Sequence, residues 1–406
     1  MWEQIRSNQV RSVILIALIA GLLLALGYFL GVYFFDSPTG GLVVALVLWA
    51  IMSLVAYFQG DSILLGMAKA RKIGPNDAPR LYNVVEEMKI ASGLPKMPDV
   101  YIIDDPALNA FATGRDPTKA SVAITSGLLQ QLNRDELQGV IAHEMAHIKN
   151  RDVLLMSICS VMLGTIVILS WYASRFLLFG AMSGGGRRSS SRDSGGGAAQ
   201  VIILVVGLVL MILAPILAQL IYYAISRKRE YLADASAALY TRYPEGLASA
   251  LEKIGASTHQ LKSANQATAP MYTVNPLNKE GKKLDDLTST HPPISERIRI
   301  LRSMAGGAAF TDYDAAYRKI HKGGGVISKA AAGAVGAVGI RQASPSIPGE
   351  MAVAQKAARN REVSDMMLRM NQYRIVDCEC GAKWKIPPGF KDDSIQCTRC
   401  GRTIKL

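Results

Sequence analysis

The chain has 406 residues, enough for two or three domains. Half of them are hydrophobic and 19% are charged, and the mean hydropathy is +0.20, which is too apolar for a typical soluble protein and points to segments inside a bilayer. The net charge of +13 has no basic stripe interleaved with aromatics, so a nucleic-acid partner is not expected; positive loops held near anionic lipid account for it.

Residues 13–35 carry no charge and are long enough to span a bilayer. Asp36 to Gly41 make a turn, and a second apolar run follows at 42–58, so residues 1–60 read as a transmembrane hairpin. Arg6 and Arg11 precede the first span, the loop has no Lys or Arg, and Lys69, Arg71 and Lys72 follow the second. The positive-inside rule then places the N-terminus and the segment after residue 60 in the cytoplasm of a multi-pass cell-membrane protein.

Residues 61–152 read as the first part of a catalytic domain. Leu81, Val84, Val85 and Met88 share one face of a helix from Pro79 to Ala91. Strands are expected at 99–103, 109–113 and 121–125, separated by turns at Asp104-Asp105-Pro106 and Gly114 to Pro117. Asn133 caps the next helix, with Glu136 completing a capping box. Two more apolar runs, 153–182 and 198–225, flank a Gly/Ser-rich loop, and residues 153–226 read as a second hairpin. Arg187, Arg188 and Arg192 in that loop go against the charge rule. The hairpin reading is kept because it returns residue 227 to the side of His143; a re-entrant hairpin is the alternative. Residues 227–320 form the second catalytic part, 321–372 a linker and a basic helix, and 373–406 a Cys-containing module.

The helix after Asn133 carries His143-Glu144-Met145-Ala146-His147. Residues four apart lie on one helix face, so His143 and His147 can present ring nitrogens to one ion, while Glu144 projects beside it and can hold a water. Histidine is scarce here, five in the chain, which makes the H-E-x-x-H pattern specific. Catalytic zinc takes three protein ligands. Glu230 and Asp234, again four apart, offer a third ligand and a partner for a ligand histidine. On spacing alone they fit a solvated acidic face, or pairs with Arg227 and Lys228, equally well. His291 alone reads as a turn residue and Arg297 as a solvated helix arginine.

Cys378-x-Cys380 and Cys397-x-x-Cys400, each followed by a glycine, have the spacing of a tetrahedral thiolate site and predict a structural zinc ribbon. Two disulfides are the alternative in an oxidising compartment.

Four strings, NAFATG at 109–114, HEMAH at 143–147, EYLADA at 230–235 and THPPISER at 290–297, resemble those of the HtpX-type membrane proteases, gluzincin relatives of the CAAX prenyl-protein endopeptidases. The resemblance covers residues 1–304. It implies a zinc ion bound by His143, His147 and Glu230, Glu144 as general base, and Asp234 as a hydrogen-bond partner of His143. It places His291 and Arg297 in the cleft opposite the metal, stabilising the transition state. Asn109, Ala110, Phe111, Ala112 and Thr113 resemble the edge strand along which an extended peptide docks. The fold it implies is a mainly α (α+β) integral membrane protein with two transmembrane hairpins, a gluzincin-like catalytic domain with a small antiparallel sheet, and the zinc ribbon. The expected activity is endopeptidase cleavage of misfolded or damaged membrane proteins. A CAAX-type endopeptidase and a non-catalytic membrane zinc adaptor are the alternatives, and the intact Glu144 speaks against the adaptor.

Overall fold

A computed structural model of the chain describes residues 2–154 except 36, scattered helical positions between 158 and 216, and residues 227–406 apart from 263–271, 275–290, 305 and short breaks between 322 and 348. The second apolar pair, 153–182 and 198–225, falls almost wholly outside the described residues.

Two helices, α1 (Trp2–Phe35) and α2 (Pro38–Met67), pack against each other through small residues. A Cβ added to Gly31 would stand 2.7 Å from the Cα of Gly41, so glycine permits the close approach. Ser37 caps α2 by accepting a hydrogen bond from the Gly40 amide (3.1 Å), with Pro38 in the first turn. Among the described residues, α2 is the one helix long and apolar enough to cross a membrane; the apolar stretch Ile16–Val32 within α1 is shorter.

Beyond α2 lie β1 (Arg71–Lys72), α3 (Pro79–Ser92), β2 (Asp99–Ile103), β3 (Ala110–Asp116), β4 (Lys119–Thr125) and α4 (Ser126–Gln131). The strands form one sheet in the order β1-β2-β4-β3. This sheet is mixed and not purely antiparallel as expected: β2 pairs with β4 in parallel, and β3 folds back antiparallel on β4. The tight turn between Gly114 and Lys119 makes β3 and β4 a hairpin, so β4 runs in the direction of β2, and β3 is left at the edge.

Strand alternation divides the sheet's side chains between two cores. Val100, Ile102, Ala110, Ala112, Val122 and Ile124 join the core shared with the helices that follow. Ile103, Phe111 and Ala123 pack on the other face with Leu64 and Leu65 of α2 and with Ala68, which caps it. The sheet therefore stands between the end of α2 and α5 (Arg134–Lys149). A helix at 227–241 (α6), α7 (Pro244–Gly255), α8 (Ile294–Arg302) and α9 (Phe310–Ile320) complete the domain. Gly139 of α5 touches α7 so closely that a Cβ would lie 2.6 Å from the Leu247 amide nitrogen. Gly139→Ala is expected to push α7 away and destabilise the domain by about 1–3 kcal/mol despite alanine's better helix propensity; thermal unfolding of the detergent-purified variant measures it.

The stretch read as a linker is anchored. Arg341 reaches Asp135 (2.7 Å) and Gln138 (3.0 Å), and Ser344 also bonds Asp135 (2.9 Å). Its Gly/Ala/Ser/Pro composition hides this because isolated anchors leave no periodicity. The basic helix α10 (Gly349–Met370) buries Val363 and Met366 in the domain core. Two antiparallel strand pairs, Arg374–Asp377 with Lys383–Ile386 and Ser394–Gln396 with Thr403–Lys405, close the chain.

Candidate metal centre

The Asn133 side chain accepts from the Glu136 amide (2.9 Å), and Glu136 accepts in return from the Asn133 amide (2.8 Å). Ser249 and Lys253 of α7 also bind Glu136, fixing the start of α5 against its neighbour. Ten residues on, His143 and His147 point into the protein, almost fully buried. Glu230 and Asp234 of α6 face them across the interior. His143 Nε2 and His147 Nε2 are 3.2 Å apart, and each is 3.4 Å from an oxygen of Glu230.

The outer ring nitrogens each meet a carboxylate. Asp234 Oδ1 lies 3.0 Å from His143 Nδ1, and Asp152 Oδ2 lies 3.3 Å from His147 Nδ1. A carboxylate at Nδ1 holds a proton on that side and aims each Nε2 at the point shared with Glu230. Asp152 lies past the end of α5, where Arg151 adopts φ 60° and turns the chain back toward the histidine. An offset of five residues across a helix end carries no sequence signal for this contact.

Burial alone would strip the imidazoles of protons. Hydrogen bonds to Asp152 and Glu230 outweigh it and push His147 up to about 10, and Asp234 and Glu230 likewise raise His143. Burial would also protonate Glu230, yet His291 and the hydrogen bonds from His143 and His147 hold it well below the usual carboxylate range. The site thus concentrates negative charge and attracts protons or a metal cation. His291 Nε2, 3.6 Å from Glu230, is pulled down to about 4 chiefly by burial and is a neutral imidazole at neutral pH.

Arg297 is wholly buried and does not line an open cleft. Its Nε and Nη2 donate to the two oxygens of Asp234 (2.8 and 2.7 Å), and its Nη1 donates to the Thr273 carbonyl (3.1 Å). Charge pairing with Asp234, against the burial penalty, raises its pKa further and keeps Asp234 ionised.

Glu144 is buried beside the histidines, and its Oε1 accepts from the Thr273 hydroxyl (2.7 Å). The Thr273 hydroxyl and amide also reach the Ala110 carbonyl of β3 (2.9 and 2.8 Å). Asn109 holds the same segment, donating to the Val274 carbonyl (2.7 Å), and Tyr272 packs edge-on against Phe111. Thr273 lies in a stretch without period or motif, so nothing in the sequence marks it.

The donor set fits zinc. Ligands around a tetrahedral zinc at about 2.0–2.1 Å stand about 3.3 Å apart, close to the separations between the two Nε2 atoms and Glu230. Glu230 Oε2 is buried with only long contacts, His143 Nε2 at 3.4 Å and Arg297 Nη1 at 3.6 Å, so its negative charge is incompletely satisfied by the protein alone. Among the described residues a second such cluster is formed by the four C-terminal cysteines, whose sulfurs lie within 4.8 Å of one another. Cys378 and Cys400 are 3.6 Å apart and Cys380 and Cys397 3.7 Å, near the roughly 3.8 Å expected for thiolates sharing zinc at about 2.3 Å. Gly381 and Gly401, at φ 80° and 74°, turn the chain back after each pair.

Comparison with known proteins agrees with this chemistry. Residues 75–305 match Peptidase family M48. The Protease HtpX homolog of Dictyoglomus turgidum is 45% identical over 303 residues, covering 75% of this chain and 94% of the relative. The Protease HtpX homolog of Caldanaerobacter subterraneus subsp. tengcongensis is 44% identical over 304 residues, covering 75% and 98%. Among solved structures, the crystal structure of S. mikatae Ste24p aligns with a TM-score of 0.40 and 19% identity, covering 74% of this chain and 67% of that one. The family match spans more than half of the chain and includes both histidines, Glu144, Glu230 and Asp234: the chain belongs to peptidase family M48.

Proposed function

We propose that this protein is a membrane-bound zinc endopeptidase that cleaves misfolded or damaged membrane proteins, with its metal centre on the cytoplasmic side. One observation carries the reading: two imidazole Nε2 atoms and the Glu230 carboxylate converge on one point, with the Glu144 carboxylate beside them. His143, His147 and Glu230 hold the zinc, and Asp234 and Asp152 fix the two imidazoles. Bound there, zinc supplies a Lewis acid that lowers the pKa of water toward about 7 and polarises a carbonyl. Glu144 takes the proton of the attacking water at its carboxylate and passes it to the leaving amine. His291, neutral, donates an N–H to the developing oxyanion. Arg297 acts through Asp234 as a positioning residue. Asn109, Ala110, Phe111, Ala112 and Thr113 form the rim along which an extended polypeptide docks.

The apolar helix α2, largely exposed along its most apolar stretch, supports anchoring in a bilayer. The ribbon carries a second, structural zinc on Cys378, Cys380, Cys397 and Cys400. Metal analysis of the detergent-purified chain is expected to find two zinc ions per molecule, falling to one when Cys378 and Cys400 become Ser. Chelation is expected to abolish cleavage of an unfolded membrane substrate, and added zinc to restore it. Cleavage that persists in metal-free protein would refute the assignment.

A further inference from the structure

Tyr272, Thr273 and Val274 lie across the start of β3, and their backbone is fixed from several sides. The Asn109 side chain donates to the Val274 carbonyl (2.7 Å) and accepts from the Val274 amide (3.3 Å). The Thr273 amide donates to the Ala110 carbonyl (2.8 Å), and the Thr273 carbonyl accepts from Arg297 Nη1 (3.1 Å). The Tyr272 ring stands edge-on to Phe111, with 5.1 Å between ring centres. The main chain of Thr273 is therefore held at both its amide and its carbonyl, and it sets where the hydroxyl sits.

That hydroxyl is buried between two acceptors, Glu144 Oε1 at 2.7 Å and the Ala110 carbonyl at 2.9 Å. A hydroxyl has one proton, so it serves one of them at a time. The Ala110 carbonyl already receives the Thr273 amide. A hydrogen bond to an ionised carboxylate is shorter and about twice as strong as one between neutral groups. The shorter contact and the stronger acceptor both assign the proton to Glu144. The second hydrogen bond to Ala110 is the one the segment can do without.

The last torsion of a glutamate is broad and roughly two-fold, so its carboxylate turns easily unless a partner holds it. A bond on Oε1 fixes the plane of both oxygens. Arg297 ties this arrangement to the histidines. Its Nε and Nη2 hold Asp234, which meets His143 Nδ1, while its Nη1 holds the Thr273 carbonyl. One buried guanidinium thus keeps Glu144 and His143 in register.

Building on the proposed protease activity, we infer that Thr273 is a positioning residue for peptide cleavage. Its hydroxyl holds one oxygen of Glu144 and leaves the other to receive the proton. Its backbone carries that hydroxyl on the same guanidinium that supports His143. The methyl group contributes packing only, and the hydroxyl contributes to the rate.

The test compares Thr273→Val with Thr273→Ser in the full, detergent-purified, zinc-loaded chain. The substrate is a single-span membrane protein with a quenched fluorophore pair in an unfolded tail. Val has nearly the same shape, keeps both main-chain bonds and removes only the hydroxyl. It is expected to lower kcat by about 10–100-fold, the rate equivalent of a hydrogen bond to a charged group, with KM and zinc content unchanged. Ser keeps the hydroxyl and should restore most of the rate. A threonine that merely packs the segment gives the reverse order, with Val tolerated and Ser, which has lost a buried methyl, the worse of the two. Wild-type kcat in Thr273→Val, or an equal loss in Val and Ser, overturns the inference. Should Val be too unstable to purify, Thr273→Ala, which also lacks the hydroxyl, takes its place against Ser. Wild type and Glu144→Gln measured alongside separate the two ideas: if they still differ, the protease reading stands without Thr273, and if wild type cleaves nothing, that reading fails and this inference with it.

Discussion

Glu144→Gln is expected to keep zinc at the wild-type level and to lower kcat by about 10²–10⁴-fold, the usual contribution of a positioned acid–base group. Glu144 follows His143 directly on α5, so its side chain is turned about 100° from the face of the two ligands and stays out of the ligand set. It is buried, and its one described partner at Oε1 is the Thr273 hydroxyl, which an amide oxygen can also accept. Gln therefore preserves the packing and removes only the capacity to take a proton. Glu230→Gln should behave differently, because it weakens the one anionic ligand and lowers zinc content together with turnover. Metal analysis and initial rates on the two purified variants distinguish them. Peptide cleavage at the wild-type rate by Glu144→Gln would remove Glu144 from the proton-transfer role.

The parts of this site differ in how they are written in the chain. The helix bearing His143 and His147 is legible because its cap, its period and its ligand spacing are all local, within about four residues. The three main strands are legible for the same reason, since alternation is local. The parallel pairing of β2 with β4 is not, because strand order depends on which way the β3–β4 hairpin swings. Glu230 and Asp234 share a helix face from their spacing, yet that spacing fits a solvated face equally well; only the packing of α6 against α5 brings them to the histidines. Asp152 depends on one left-handed residue, Arg151, and Thr273 on a contact across the edge of β3. Arg297 shows the limit most clearly. A basic residue in the first turns of a short helix looks solvent-facing, and its sequence neighbours do not reveal the buried carboxylate at its tip.

Arg297→Met is expected to destabilise the domain by about 3–5 kcal/mol, because it leaves the Asp234 carboxylate buried without its counter-charge. That is a large share of the roughly 5–15 kcal/mol that holds a domain folded, so a marked fall in Tm should be visible in detergent. Zinc affinity should fall as well, by about 10–100-fold, since Asp234 orients His143. Arg297→Lys keeps the charge but not the two-pronged contact with both Asp234 oxygens, and should lie between. Combining Arg297→Met with Asp234→Asn removes the stranded charge, and the double variant should be more stable than Arg297→Met alone even though it has lost both groups. A group acting directly on the transition state from across the cleft would give another pattern: unchanged Tm, unchanged zinc and a lower kcat alone. Tm, zinc content and kcat measured on the same three variants therefore decide whether Arg297 works on the substrate or, as its hydrogen bonds indicate, through Asp234 on His143, the proposed metal ligand.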